Sequence, residues 1–176
     1  GRVMQFDPIT GKITQVLHAF GTGASEQGEG YPSALAGWKG QLWVGLSGGN
    51  TTNGIGTIVR AYVDVATSWT ADVSNLSCHI TSLNVFLGDL YAASISSAST
   101  GARIHRKTAA GTAWPTQATS ASGAGAGYYA SLYVYGSALY AVEYFNNGTD
   151  VVHIVRSTDG ATFATDYDVD ANVAMN

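Results

Sequence analysis

The tetrapeptide Leu42–Gly45 (LWVG) returns later in the chain as Leu90–Ala93 (LYAA) and again as Leu139–Val142 (LYAV). The leucines that open these segments are 48 residues apart (42 to 90) and then 49 residues apart (90 to 139). A fixed period of this length is typical of repeat proteins, in which each repeat is one supersecondary unit that packs against the next. The sequence therefore predicts three related units in succession.

Other positions repeat around each of these anchor leucines. A leucine stands seven residues earlier and an aromatic residue four residues earlier, at Leu35 and Trp38, Leu83 and Phe86, and Leu132 and Tyr135. Further downstream an isoleucine, an arginine and an aromatic residue recur, at Ile58, Arg60 and Trp69, at Ile104, Arg106 and Trp114, and at Ile154, Arg156 and Phe163. A glycine marks a tight turn before each anchor, at Gly40, Gly88 and Gly136. This spacing predicts four short strands in each unit.

The strand that begins at each anchor leucine is apolar on consecutive residues, which is expected when both faces of a sheet are covered. A helical fold is excluded, because Gly, Ser and Thr interrupt every apolar stretch before a 3.6-residue period can develop. Sheets stacked face to face around an axis supply the cover that these strands need. The predicted fold is therefore all-β, a β-propeller of four-stranded blades.

The blade boundaries follow from the repeat. Residues 1–30 are predicted to form the back half of a blade with two strands, followed by blades at 31–78, 79–127 and 128–176. These segments make one propeller domain of about three and a half blades, whose end sheets would lie uncovered. We therefore expect the remaining blades to come from a longer chain or from a second copy of this one.

Composition excludes two classes of partner. The 176 residues include 8 Lys and Arg against 12 Asp and Glu, and the formal net charge is −4. This balance offers no basic surface to nucleic acid or to an anionic membrane. No apolar run approaches the roughly 20 residues that span a bilayer, so no membrane insertion is expected. Cys78 is the single cysteine, which excludes an internal disulfide and reads as a small buried apolar residue.

Two stretches resemble known propeller families. Residues 156–163 (RSTDGATF) resemble the Asp-box of sialidase-like propellers, in which Ser-x-Asp-x-Gly-x-Thr-Trp closes the turn between the third and fourth strands of a blade. This copy, with Asp159 at the acidic position, is one residue short and ends in Phe163. The segment Val3–Phe20 is similar to secreted tandem-repeat propellers of bacterial and phage-associated proteins. Both resemblances imply a fold more than an activity.

The repeated arginines allow a catalytic hypothesis. Sialidase-like enzymes gather several arginines on a substrate carboxylate, and Arg60, Arg106 and Arg156 recur at one position. Strict repetition favours the alternative, in which each arginine stabilises the turn of its own blade, because binding residues usually break a repeat. No acidic pair stands out that would complete a glycosidase site. The enzyme hypothesis requires the three arginines to converge on one open cavity beside paired acids.

Alternating acids near the end of the chain suggest a metal site. Asp166, Asp168 and Asp170 would project from one face of a strand and could attract calcium. The alternative is an acidic edge strand that discourages aggregation, which the pattern favours. The four histidines have no metal-ligand spacing, and no other cofactor is expected.

Loop residues supply the remaining candidates. Sequons for N-glycosylation occur at Asn50, Asn75 and Asn147, which favours an exported protein. Three tyrosines lie just before a predicted first strand, where they could stack on a sugar ring or pack the entrance of a blade, at Tyr31, Tyr128 and Tyr129.

Together these features favour a non-catalytic propeller module used for binding or assembly. The abundance of Ser, Thr and Gly with only three lysines favours an exported, cell-surface or virion-associated protein. A glycan is the expected ligand. The alternatives are an Asp-box glycoside hydrolase of the sialidase-like kind and a purely structural virion or fibre component.

Overall fold

The computed structural model describes residues 2–19, 31–47, 56–62, 69–74, 76, 78–96, 102–119, 127–146 and 150–169. In this part of the chain almost all regular structure is β-strand, so the all-β prediction is confirmed. The strands are β1 (Arg2–Asp7), β2 (Lys12–Ala19), β3 (Tyr31–Trp38), β4 (Gln41–Ser47), β5 (Gly56–Tyr62), β6 (Thr70–Ser74), β7 (Cys78–Phe86), β8 (Asp89–Ser96), β9 (Arg103–Lys107), β10 (Thr116–Thr119), β11 (Gly127–Tyr135), β12 (Ala138–Asn146), β13 (Asp150–Ser157) and β14 (Ala164–Asp168).

The strands form three sheets. β1 and β2 make a two-stranded hairpin, and β3 to β6 make a four-stranded antiparallel meander, here called unit I. The third sheet has eight strands and is curled like half a barrel. Within it β7 to β10 pair in chain order as unit II, and β11 to β14 pair in chain order as unit III.

The strand pairing between units II and III is limited to one residue pair among the described strands. Tyr128 of β11 lies opposite Ile95 of β8, and this is the only pairing recorded between the two units among the described strands. Inside each unit the neighbouring strands pair over several residues. The eight-stranded sheet is therefore two four-stranded runs with one narrow connection.

The strand register reproduces the repeat in the sequence. The aromatic residue after each anchor leucine lies directly opposite the repeated arginine, in the pairs Trp43 with Arg60, Tyr91 with Arg106, and Tyr140 with Arg156. Equal spacing in the sequence thus corresponds to the same cross-strand neighbours in all three units.

Tight turns occur where the glycines predict them. Lys39 and Gly40 both have positive φ, and so do Leu87 and Gly88, as a type I′ hairpin turn requires. In unit III the positive φ falls on Gly136. The hairpin of β1 and β2 turns at residues 7–11, where the Asp7 carboxylate accepts hydrogen bonds from the Ile9 amide and the Thr10 hydroxyl.

Most of the described core lies in two equivalent interfaces between units, and a smaller cluster contains Val44 and Leu46. One side of unit I, its aromatic face, carries Trp38, Trp43 and Ile58, and the facing side of unit II, its leucine face, carries Leu83, Leu90 and Ala92. The next interface uses the same repeat positions, with Phe86, Tyr91 and Ile104 of unit II against Leu132, Leu139 and Ala141 of unit III.

The first strand of each unit carries most of this packing. β7 contacts β3, β4 and β5 of unit I, and β11 contacts β7, β8 and β9 of unit II. Close approach requires a small residue at Gly45, where a Cβ atom would lie 2.4 Å from Cγ2 of Ile80. None of the described residues forms a helix long and apolar enough to cross a membrane.

Candidate functional site

The arginines of units II and III stay within their own units. Arg106 of β9 donates from Nε to Asp89 Oδ2 at 2.8 Å, and its guanidinium lies 5.9 Å from the Tyr91 ring. The hydrogen bond with Asp89 raises the pKa of Arg106. For Arg60 the structure describes the backbone, which pairs with Trp43.

Arg156 occupies the equivalent place but lacks the acid. Ala138 in unit III is equivalent to Asp89 in unit II, because each pairs with the aromatic residue across the turn, Tyr135 and Phe86 respectively. The Arg156 guanidinium lies 6.0 Å from the Tyr140 ring, and its buried Nε has no hydrogen-bond partner among the described residues. It lines a cleft of about 380 Å³ that also contains Asp159 and Asp166.

The Asp-box-like segment contains a compact turn between β13 and β14. Asp159 Oδ1 accepts hydrogen bonds from the amides of Ala161 and Thr162 and from the Ser157 hydroxyl, at 2.8 to 2.9 Å. These donors, led by the Thr162 amide, hold the pKa of Asp159 well below its usual range. The turn also contacts unit II, because the Tyr91 hydroxyl donates to the Gly160 carbonyl at 3.1 Å.

The three candidate tyrosines differ in their surroundings. Tyr129 is 2% exposed and belongs to the core between units II and III, so its ring offers no face to a sugar and packs the entrance of the unit instead. Tyr128 is half-buried and stacks on Tyr144, with ring centroids 4.8 Å apart. Tyr31 opens β3, and its side chain lies outside the described part of the structure.

A buried polar cluster in unit III has no counterpart in the sequence predictions. The Tyr129 hydroxyl donates to Glu143 Oε1 at 3.2 Å, and His153 Nδ1 lies 3.4 Å from Glu143 Oε2. The cluster reaches the surface at Asp168, whose carboxylate is 3.8 Å from His153 Nε2. Burial, together with the neighbouring Glu143, raises the pKa of Tyr129.

This cluster breaks the repeat. The positions of Tyr129 and Glu143 are taken by Pro32 and Leu46 in unit I, which are likewise opposite each other. In unit II they are taken by Ile80 and Ser94. A charged residue at a position that is otherwise Leu or Ser is the signal that could have predicted the cluster from sequence.

Two of the three alternating acids lie within the described residues, in different surroundings. Asp166 lines the Arg156 cleft, Asp168 faces His153, and Asp170 lies outside the described residues. In the described part of the chain no three His, Cys, Asp or Glu side chains are grouped so that they could hold a metal ion.

A second cleft, of about 400 Å³, lies between units I and II. Its wall contains a buried ion pair in which Lys107 Nζ of β9 lies 2.8 Å from Asp72 Oδ2 of β6. Trp114 Nε1 donates to the same Asp72 oxygen at 2.8 Å, and Lys107 lies 5.7 Å from the Trp114 ring. The Trp38 and Trp43 side chains that line this cleft are buried.

The aromatic face of unit III is open. Tyr133, Tyr135, Tyr140, Val142 and Ile154 line an apolar groove of about 270 Å³, referred to below as the unit III groove. Tyr135 is 72% exposed, whereas Trp38 and Phe86 at the equivalent positions are 7% and 5% exposed. The face that is buried in units I and II is thus exposed in unit III.

No known protein family matches this chain, and no curated protein is significantly similar to it. The functional assignment therefore rests on the geometry of the clefts, the cluster and the open face.

Proposed function

We propose that the chain is a non-catalytic β-propeller module for binding or assembly, in which units I, II and III are four-stranded blades. The observation that carries this proposal is the repeated interface, where the aromatic face of one unit packs on the leucine face of the next. Repetition of one face-to-face interface around an axis is the packing that propeller blades use. The narrow connection between Tyr128 and Ile95 favours separate blades over a continuous barrel wall.

An experimental structure tests the blade arrangement directly. The proposal expects three four-stranded sheets that radiate from one axis, with β3, β7 and β11 nearest to it. A continuous barrel in which β8 and β11 pair along their whole length would contradict it.

The proposed ligand is a glycan, bound near the start of β11, where the chain enters unit III. The stacked rings of Tyr128 and Tyr144 are half-buried there, and aromatic rings of this kind pack well on the apolar faces of sugars. The exported or virion location proposed for the protein accords with its Ser- and Thr-rich, lysine-poor composition. The sequons at Asn50, Asn75 and Asn147 lie outside the described residues.

Glycan-array binding followed by titration of the best sugar tests this ligand. We expect Tyr128→Ala to weaken binding by about tenfold or more, which corresponds to about 1.4 kcal/mol. Tyr167→Ala is the matched control, because Tyr167 is an exposed tyrosine of the same unit. Binding that is absent in the native chain, or lost equally in both variants, would remove the glycan from the proposal.

The enzyme alternative has weaker support. Arg106 is paired with Asp89 and Arg156 lies against Tyr140, each inside its own unit, whereas a sialidase-like site needs converging arginines. The pair Tyr129 and Glu143 is buried in the core, where a substrate has no access. We expect no turnover of fluorogenic glycosides, and turnover that Glu143→Gln abolishes would overturn the non-catalytic proposal.

A further inference from the structure

The open aromatic face of unit III is equivalent to the aromatic faces of units I and II, which are both buried. The unit III groove uses Tyr135, Tyr140 and Ile154, and the repeat aligns these with Phe86, Tyr91 and Ile104 of unit II. Those three residues are buried against β11 and its neighbours. The groove therefore has the chemistry of a surface built to receive the first strand of another unit.

The complementary surface is open at the other end of the described repeats. Leu35 of β3 holds the position of Leu83 and Leu132, which are 6% and 5% exposed, yet Leu35 itself is 54% exposed. On the same side of unit I, Val44 and Leu46 are fully buried and Leu42 is partly buried, so the open part of this face is at Leu35. β3 is the first strand of its unit, the element that in units II and III carries the packing on the preceding unit.

From these two surfaces, and on the basis of the propeller module proposed above, we propose that a second copy of this chain docks here. β3 of one copy packs in the unit III groove of the other, as β7 packs on unit I and β11 packs on unit II. Each copy offers one groove and one β3, so two such contacts close a dimer. Each contact joins different surfaces of the two copies, and a two-fold axis relates the two contacts, so the complete dimer interface is isologous.

The groove is almost purely apolar, which favours an apolar protein strand over a sugar as its partner. Its wall consists of three tyrosine rings, three aliphatic side chains and Ser131, and the surface exposed toward the groove is almost entirely apolar. A glycan needs hydrogen-bond donors and acceptors that match its hydroxyl groups, whereas an apolar strand needs only area and shape. Leu35 presents that kind of side chain.

Sedimentation velocity or native mass spectrometry over a range of concentrations tests the dimer. We expect the native chain to dimerise, and we expect Tyr135→Glu and Leu35→Glu each to raise the dissociation constant by about 30-fold or more, because each puts a charge into both contacts. Leu87→Glu, an exposed apolar residue in the turn of unit II that belongs neither to the groove nor to β3, is the control and should dimerise normally. Circular dichroism of each variant verifies that it is folded.

Mixing the two variants tests the head-to-tail geometry. A dimer of Tyr135→Glu with Leu35→Glu concentrates both charges in one contact and leaves the other contact native. The mixture should therefore dimerise more tightly than either variant alone. If Leu35→Glu has no effect while Tyr135→Glu abolishes the dimer, two grooves face each other and the proposed contact is wrong.

A native chain that stays monomeric at all concentrations overturns the second copy as the partner. The module proposal fails by a different measurement, an experimental structure without radiating blades. A monomer with three radiating blades therefore refutes the dimer alone.

Discussion

Gly160 shows how a single residue connects two units. Its φ of +69° lies in the left-handed region that favours glycine, and a Cβ atom there would lie 1.9 Å from the Tyr91 hydroxyl oxygen. The same hydroxyl donates to the Gly160 carbonyl. The turn of unit III can approach unit II this closely only because residue 160 has no side chain.

We expect Gly160→Ala to lower the free energy of unfolding by about 3 kcal/mol, since it combines backbone strain with overpacking. Gly88→Ala is the matched control, because Gly88 also has positive φ but has open space around it. The control should lose only about 1 kcal/mol. Urea denaturation measures both, and Tyr91→Phe should restore part of the loss in Gly160→Ala. Equal losses in the two alanine variants would contradict the contact.

His105 is a buried residue whose charge depends on folding. It lies in β9 and is 2% exposed, and burial lowers its pKa to about 4 from an ordinary value of 6.5. Between these two values the unfolded chain binds a proton at His105 that the folded chain does not. His105 therefore costs the folded state no stability above pH 6.5, and the free energy of unfolding falls as the pH decreases toward 4.

For His105 we expect the loss across that pH range to reach about 3 kcal/mol. In His105→Gln this contribution should disappear, so the difference in unfolding free energy between the native chain and the variant should change with pH. Urea titrations at pH 4, 5, 6 and 7 measure the difference. A difference that is constant over this range would show that His105 takes no part in the acid sensitivity.

At the level of elements, the interface between units I and II contains a buried ion pair. Asp72 of β6 and Lys107 of β9 are each 8% exposed, and Trp114 donates to the same carboxylate. Removing one partner of such a pair leaves the other charge buried without compensation. Pairing between neighbouring units therefore depends on both residues.

We expect Lys107→Met to destabilise the chain by about 3 kcal/mol, because it removes the buried cation that lies 2.8 Å from the Asp72 carboxylate. Adding Asp72→Asn should recover more than half of this loss, since the amide oxygen still accepts the Trp114 hydrogen bond. A double-mutant cycle from thermal or urea unfolding measures the coupling. Additive effects of the two changes would contradict the pairing.

Across the whole molecule the sheets differ in how well they are covered. The hairpin of β1 and β2 is a separate two-stranded sheet, with Met4 half exposed and Ile9 almost fully exposed. β8 lies at the centre of the packed units, and its residues Leu90 to Ser94 are fully buried. An isolated hairpin is marginally stable, so stability should be graded along the chain.

Hydrogen exchange should show this gradation. We expect the amides of β1 and β2 to exchange orders of magnitude faster than those of β8, because they open without disturbing the units. Deleting residues 1–19 is the companion experiment and should leave the protection of β8 unchanged. Equal protection in the hairpin and in β8 would mean that the hairpin folds together with the units.

The sequence alone determined the repeat, the strands and the turns. The anchor leucines, Gly40 and Gly88 predicted elements that the structure contains, because strand periodicity and positive-φ turns are local properties of the chain. The pairing of each aromatic residue with an arginine was not predicted, although it recurs with the same period in the structure.

Tertiary structure decided which of the repeated residues are accessible. Tyr129 is buried, and Glu143 contacts both Tyr129 and His153 across three strands. Arg106 pairs with Asp89, whereas Ala138 takes the equivalent position beside Arg156. Burial and contacts between distant segments depend on which face of a unit is covered. Tyr135 and Phe86 hold the same repeat position, yet one is exposed and the other buried, because a neighbouring unit covers only Phe86.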